Sequence, residues 1–377
     1  MQTRVRSYSK INLGLAIGPP RPDGFHALST LYQTIALHDV VSVQARPSAR
    51  SRILLQSNDS RVPTDGRNTA IRMVEKALDR MGITAEVALH IQKNLPIQGG
   101  MGAGSANAAA ALIGLEKELE REAPGKLLPP ADRLAIAAEV GSDVPLFLIG
   151  GAVLGSNRGE AVTPVTDITY AGSTEIHAVM AIPKVGVSTP QAFRDWDQSF
   201  AVPSSLHNPQ TSSTLEKLSR TYASILQQDL DFAAVKDAES GASGIFRTFG
   251  HPLEVGSPGK QQGISREQLH TQGEAQIDLA ENSLLALVRT GIENDFETVV
   301  FLQHPPLREI KRQLMGSDSG QPAILAGLSG SGSALFGLYR SQGDAEAAQQ
   351  RVQHDGVPAI VTKTLPRPLY WRNMFAE

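Results

Sequence analysis

Residues 93–119, KNLPIQGGMGAGSANAAAALIGLEKEL, constrain this chain more than any other stretch. Strand-like residues run up to Lys93, Pro96 turns the chain, and Gly99, Gly100, Gly102 and Gly104 crowd into six positions. Ser105, Ala106 and Asn107 follow, and then Leu112, Leu115 and Leu119 recur at helical spacing in an alanine-rich run. Glycine has no Cβ, so its backbone can close on an anion and take positive φ. The free N–H groups of a helix's first turn face such an anion, and the helix dipole adds roughly half a positive charge there. Strand, loop and helix therefore spell a phosphate cradle. A turn with no ligand is the alternative, and it would need fewer glycines. Ser105 occupies the position of an N-cap, with a hydroxyl able to reach a phosphate or a metal ion. The chain has no G-x-x-x-x-G-K-[ST], and its glycines do not fit G-x-G-x-x-G, so the two best-known cradles are excluded.

The chain is 377 residues long, too long for one ordinary core and enough for two domains. Hydrophobic residues at 41% and charged residues at 19% give the balance of a globular protein. A formal charge of −3 supplies no global field to recruit nucleic acid or an anionic membrane. Without cysteine there are no disulfides or thiolate metal sites, which suits a reducing cytoplasm. The opening MQTRVRSYSKINLGL lacks the apolar core of a signal peptide. Residues 144–156, the longest nearly uncharged stretch, are too few and too glycine-rich to span a bilayer. The expectation is a soluble cytoplasmic protein with neither a nucleic-acid nor a membrane partner.

Residues 4–17 read as a strand in which Ile11, Leu13, Leu15 and Ile17 share one face and Lys10, Asn12 and Gly14 the other. Lys10 is there either a solvated edge residue or a site residue; the pattern leaves both open. In RPDGFHAL, residues 21–28, Pro22, Asp23 and Gly24 spell a turn that delivers Phe25 and His26 side by side. Strands are expected near 35–43 and 53–56. A helix is expected over 68–81 with Ile71, Val74, Leu78 and Met81 on one stripe, and a strand over 87–91 leads into the loop. Residues 122–130 read as a linker, and a helix from about 132 to 140 stops at Gly141 in the C′ position. Asp143 follows, a turn-former by position and a candidate general base by its place at the mouth of an apolar run. The first domain is placed at 1–160 and the second at 161–377, opening with a strand at 177–182. Residues 197–276 read as a polar insertion whose least foldable part, 251–263, carries no catalytic group. A helix is expected over 279–288. Residues 327–339 hold a second glycine–serine loop that either lines a site or packs a tight turn. There is no internal repeat.

Four separated stretches now agree: SYSKINLGL (7–15), RPDGFHAL with Tyr32-Gln33 and Leu37-His38-Asp39, the loop from Pro96 to Ser105, and VGSDVPLFLIGGAVLGSNRGE (140–160). Together they resemble the GHMP kinases, the small-molecule kinases named for galactose, homoserine, mevalonate and phosphomevalonate. Arg67-Asn68, VGVSTPQAF (185–193), Asn282 and LSGSGSALFGL (328–338) match more weakly. RPDGFH with GSDVPLF is similar to the branch of that family whose alcohol carries cytidine diphosphate.

The resemblance implies an α+β two-domain fold, a ribosomal S5-like N-terminal domain plus a ferredoxin-like C-terminal one, with the site in the cleft. It implies ATP with Mg2+, and phosphorylation of the 2-hydroxyl of a cytidine diphosphate-linked methylerythritol in non-mevalonate isoprenoid biosynthesis, by a monomer or homodimer. It makes Asp143 the general base and Lys10 its partner. Asn12 and His26 become substrate contacts, and Phe25 and Phe193 two faces of a cytosine clamp. Pro96, Gly99, Gly100, Gly102, Gly104, Ser105 and Asn107 hold the ATP phosphates, and Ser105 the metal. Asn68 and Lys93 meet the nucleotide's base or ribose.

The chain departs from the family pattern at Phe25, often tyrosine, at Met101 and Ala103, commonly Leu and Gly, and at Ser283, usually aspartate. Its insertion is also longer. The alternatives are a kinase of another small alcohol, which leaves Phe25 and His26 without a task, and a catalytically silent regulator, which predicts loss of Lys10 or Asp143. Both are present.

Overall fold

The computed structural model describes residues 2–97, 99–120, 122–123, 125–201, 279–317 and 319–377. The first half is built on two long strands, β1 (Thr3–Pro20) and β2 (His26–Pro47), paired antiparallel through the turn at 21–25. After them come β3 (Arg52–Ser57), α1 (Thr69–Met81), β4 (Ala85–Gln92), α2 (Ala103–Leu119), α3 (Pro130–Val140), a 3₁₀ turn at Pro145–Leu148, β5 (Ala152–Asn157) and β6 (Ala161–Pro164). The sheet runs β3-β4-β2-β5-β6 with β1 also on β2. β4 alternates as the sequence predicts, with Ala85, Val87, Leu89 and Ile91 turned into the core shared with the helices. α1 buries Ile71, Val74 and Leu78 on the expected stripe and ends at Gly82 in the left-handed region. The alanines of α2 let it sit deep in this core. At Gly114 a Cβ would come within 2.5 Å of Val43 on β2, so only a bare backbone fits there.

The second half comprises β7 (His177–Ala181), α4 (Thr189–Ala201), α5 (Leu279–Arg289), α6 (Phe296–Gln303), α7 (Pro305–Met315), β8 (Leu325–Leu328), β9 (Leu335–Tyr339), α8 (Gln342–His354), β10 (Ala359–Lys363) and α9 (Arg367–Arg372). Its four strands form an antiparallel sheet in the order β10-β7-β9-β8. A core cluster joins the two sheets: Ile11 and Leu13 of β1 pack with Ala178, Met180, Phe336 and Leu338. The two halves meet there along β1.

Several elements differ from their sequence expectations. β1 carries register shifts at Tyr8/Ser9, Asn12/Gly14 and Ile17/Pro20, which break simple alternation. Both of its faces are buried, so Lys10, at 2% exposure, is not a solvated edge residue. α3 starts two residues early, at Pro130, and Gly141 leaves it in an extended conformation, not the left-handed one of a C′ glycine. α5 is kinked at Asn282. β6 extends the first sheet beyond residue 160, and the chain's last residues return to that sheet through Arg6 N to Met374 O and Ala376 N to Arg4 O. Residues 197–201 of the expected insertion complete α4; the remainder, with 251–263, lies outside the described residues. No helix among the described residues is long and apolar enough to cross a membrane.

Candidate active site

β4 delivers the chain to Pro96, and the loop that follows turns at Gly100 (φ 76°) and Gly102 (φ 70°) before α2 begins. The first intrahelical bond runs from Ala106 N to Gly102 O at 2.8 Å, which leaves the N–H groups of Ala103, Gly104 and Ser105 without a helical acceptor. These donors head the helix where an anion is favoured. The expectation of an N-cap at Ser105 is corrected here. Gly102 caps the helix in the left-handed region, no side chain caps it, and Ser105 is its third residue. The Ser105 hydroxyl stands beside the chain leading to Asp143, with a Cβ on Gly141 falling 4.0 Å from it.

The second glycine loop, 329–334, docks on the first. Ser329 Oγ donates to Gly100 O at 2.9 Å, and Ala334 N to Gly99 O at 3.1 Å. A Cβ on Gly100 would lie 1.9 Å from Ser329 O. On Gly330 it would lie 3.3 Å from Lys10 Nζ. Of the two roles the sequence left open for this loop, both apply: it packs tightly, and it lines the space around Lys10. Asn294, which sequence reasoning missed, fixes it by donating to Leu328 O and Gly330 O, each at 2.8 Å.

Lys10 rises from β1 under the first loop, its backbone N–H bonded to Met101 O at 3.1 Å. Its ammonium lies 3.5 Å from Asp143 Oδ2 and also donates to Asn12 Oδ1. Asn12 is oriented in turn by donating to Thr30 Oγ1 at 2.8 Å. Burial pushes the Lys10 ammonium's pKa down and the Asp143 charge opposes that shift. Asp143 is the accessible member, 32% exposed against 2% for Lys10. A buried cation thus backs a carboxylate that opens toward solvent, at the rim of two glycine loops and near a helix N-terminus. This arrangement can hold phosphates, stabilise a transferring anionic group and accept a proton.

The other expected site residues are placed as follows. Asn107 lies in the first turns of α2, accepting from Ser7 Oγ at 2.6 Å. Asn68 caps α1 by accepting from Ala70 N at 2.9 Å and donates to Pro63 O at 2.7 Å. Lys93 pairs with the fully buried Asp39 at 2.5 Å. Both residues meet protein partners at their polar ends. The clamp of Phe25 and Phe193 is not assembled. Phe193, on α4, lies flat on His26 with centroids 5.1 Å apart and meets Phe296 edge-on. Phe25 is half exposed at the turn, with the Arg158 guanidinium 4.8 Å from its ring centroid. The imidazole thus gives Phe193 a planar partner. His26 spends its ring nitrogens on Gly18 O at 3.0 Å and on Asp197 at 3.2 Å.

The family described as GHMP kinases N terminal domain matches residues 68–151, and that described as GHMP kinases C terminal matches 276–357. The chain is an ATP-dependent small-molecule kinase of the GHMP class, with its two-domain α+β fold. It is 30% identical over 375 residues to the 4-diphosphocytidyl-2-C-methyl-D-erythritol kinase of Solibacter usitatus, covering 99% of this chain and 93% of that protein. The enzyme of the same name from a Nocardioides species is 40% identical over 198 residues, 52% of this chain and 63% of that protein. The chain belongs to the 4-diphosphocytidyl-2-C-methyl-D-erythritol kinase family. Among solved structures, a 4-(cytidine 5'-diphospho)-2C-methyl-D-erythritol kinase shares the fold at a TM-score of 0.58 and 22% identity, covering 96% of this chain and 99% of that one. A homoserine kinase from Cytophaga hutchinsonii does so at 0.56 and 18%, covering 97% and 95%.

Proposed function

We propose that this protein transfers the terminal phosphoryl group of ATP to the 2-hydroxyl of 4-diphosphocytidyl-2-C-methyl-D-erythritol, a step toward isoprenoid precursors. The observation that carries the mechanism is the Lys10–Asp143 pair, 3.5 Å apart where the two glycine loops meet. Asp143 takes the proton from the substrate hydroxyl, and Lys10 places positive charge beside the oxygen that receives the phosphoryl group. Gly99, Gly100, Gly102 and Gly104 and the first-turn N–H groups of α2 hold the phosphates. Among the described residues no group of three or more His, Cys, Asp or Glu side chains could hold a metal ion. Mg2+ arriving with ATP would keep phosphate and water oxygens, and Ser105 is the protein hydroxyl suited to join them. Phe25 and His26, presented by one turn, face the cytidine end. With Phe193 seated on His26, a flat base enters by displacing that ring or by stacking on Phe25 alone.

The test is ATP consumption across mevalonate, homoserine, galactose, the cytidylated methylerythritol and methylerythritol phosphate without its cytidine. Only the cytidylated compound is expected to be turned over at an appreciable rate. Asp143→Asn should then lower turnover by roughly 10²–10⁴ while ATP binding is largely kept. Equal rates with and without cytidine would end the substrate reading, and near-normal turnover in Asp143→Asn the base assignment.

A further inference from the structure

Asp143 stands on a short turn between α3 and the 3₁₀ turn, and two side chains hold its carboxylate. Lys10 faces Oδ2, and the Tyr32 hydroxyl donates to Oδ1 at 3.1 Å. Tyr32 arrives from β2, where it pairs with Asn12 on one side and Val153 of β5 on the other. It is 2% exposed, and its position is tightly walled. A Cβ on Gly155 would lie 2.5 Å from its Cε2, and one on Gly159 would lie 2.7 Å from its hydroxyl. The Lys10 ammonium sits 5.5 Å from the centroid of the same ring. One rigid phenol thus touches both members of the pair. Burial, with the Asp143 charge added to it, keeps its hydroxyl protonated and therefore a donor.

We infer that Tyr32 is the positioning residue for the kinase reaction: its hydroxyl fixes the rotation of the Asp143 carboxylate, so that Oδ2 faces Lys10 and the acceptor hydroxyl. The inference rests on the reading of Asp143 as general base. A carboxylate held by Lys10 alone could turn about its Cβ–Cγ bond, and a misaimed base loses much of its effect on a proton transfer. The sequence gives no local sign of this role, because Tyr32 and Asp143 are 111 residues apart.

The test is Tyr32→Phe, alone and combined with Asp143→Asn. Tyr32→Phe alone should lower kcat by about ten-fold, the scale of one hydrogen bond to a charged group, with the KM of both substrates within about two-fold of the parent. In the Asp143→Asn background, where no base remains to be aimed, Tyr32→Phe should change kcat by less than about two-fold. The same fold-loss in both backgrounds would make Tyr32 a packing residue and overturn the inference. So would a raised KM for the alcohol with kcat kept, which would mark a binding contact. Gly155→Ala tests the same idea if Tyr32→Phe folds poorly, because a Cβ 2.5 Å from the ring shifts the hydroxyl off Asp143 without removing it. Its loss should likewise be confined to kcat and to protein that retains Asp143. Asp143→Asn protein with near-parental turnover is a different result, and it refutes the base assignment on which the inference rests.

Discussion

Gly102 carries two constraints in one position. Its φ of 70° lies where a side chain is strained, and a Cβ there would come 2.9 Å from Phe147 Cζ and 3.3 Å from Lys10 Cε. The backbone term alone costs about 1–2 kcal/mol for a residue other than glycine. Gly102→Ala should therefore lower stability by about that amount and displace Lys10 or Phe147. Turnover is expected to fall about ten-fold or more, with a raised ATP KM. Steady-state kinetics beside urea unfolding would check this, and unchanged turnover and ATP KM in folded Gly102→Ala protein would take the loop out of the site. At this scale the sequence was a good guide to which residues gather and a poor one to what each touches. Lys10, Asn12, Asp143 and the glycines were legible because their residue types are unusual in their settings. Ser105 was misread as a cap because serine favours that position, whereas the left-handed turn at Gly102 starts the helix earlier. The stacking of Phe193 on His26 was not legible for a different reason: sequence distance carries no information on which ring a side chain meets.

Between elements, the segment 293–295 fastens β1 to the second half. Leu15 N donates to Glu293 O at 2.9 Å, Asp295 N to Leu15 O at 2.9 Å, and Ile17 N to Asp295 Oδ2 at 2.7 Å. Burial raises the Asp295 carboxyl from 3.8 to about 6, with Glu293 adding repulsion and the Ile17 N–H opposing. For a carboxyl raised on folding, the folded state holds the proton more tightly than the unfolded one. This group therefore costs nothing below pH 4, and its cost grows as pH rises through 4 to 6. Asp295→Asn keeps an acceptor for Ile17 and removes the charge. Its unfolding free energy relative to the parent should rise by on the order of 2 kcal/mol between pH 4 and pH 7. Urea unfolding at the two pH values measures this, and an offset that does not change with pH would sink it. The elements read best from sequence, α1 and β4, obey one local period and bury one face. β1 was harder because both faces are buried and three register shifts interrupt its alternation. The docking of the two glycine loops was not legible at all, since Gly100 and Ser329 are 229 residues apart and only the fold brings them together.

The whole molecule is closed by its C-terminal segment. From the second sheet the chain crosses to the first half, where Tyr370, Trp371 and Met374 enter the core that holds α1 and α2. Arg367 donates to Gly150 O at 3.0 Å and to Val165 O at 3.1 Å, and its backbone N–H meets Asp167. Tyr370 Oη donates to Phe147 O at 2.6 Å and Trp371 Nε1 to Ile149 O at 2.9 Å. Phe147 and Ile149 continue the turn that presents Asp143, so the C-terminal segment braces that turn without touching Asp143 itself. Trp371→Ala should cost about 3–5 kcal/mol, the usual price of emptying a large aromatic site in a core. Turnover per folded molecule should fall with it, because the 3₁₀ turn loses both packing and a hydrogen-bond donor, while the ATP KM should hardly move, since the glycine loops are held by other contacts. Trp371→Phe, which refills most of the volume and omits the donor, should recover most of the stability and a smaller part of the turnover. Folded-fraction-corrected kinetics on the two variants separate the effects. Parental turnover in Trp371→Ala protein that is still mostly folded would show that the segment stabilises the first core and does nothing to hold Asp143 in place.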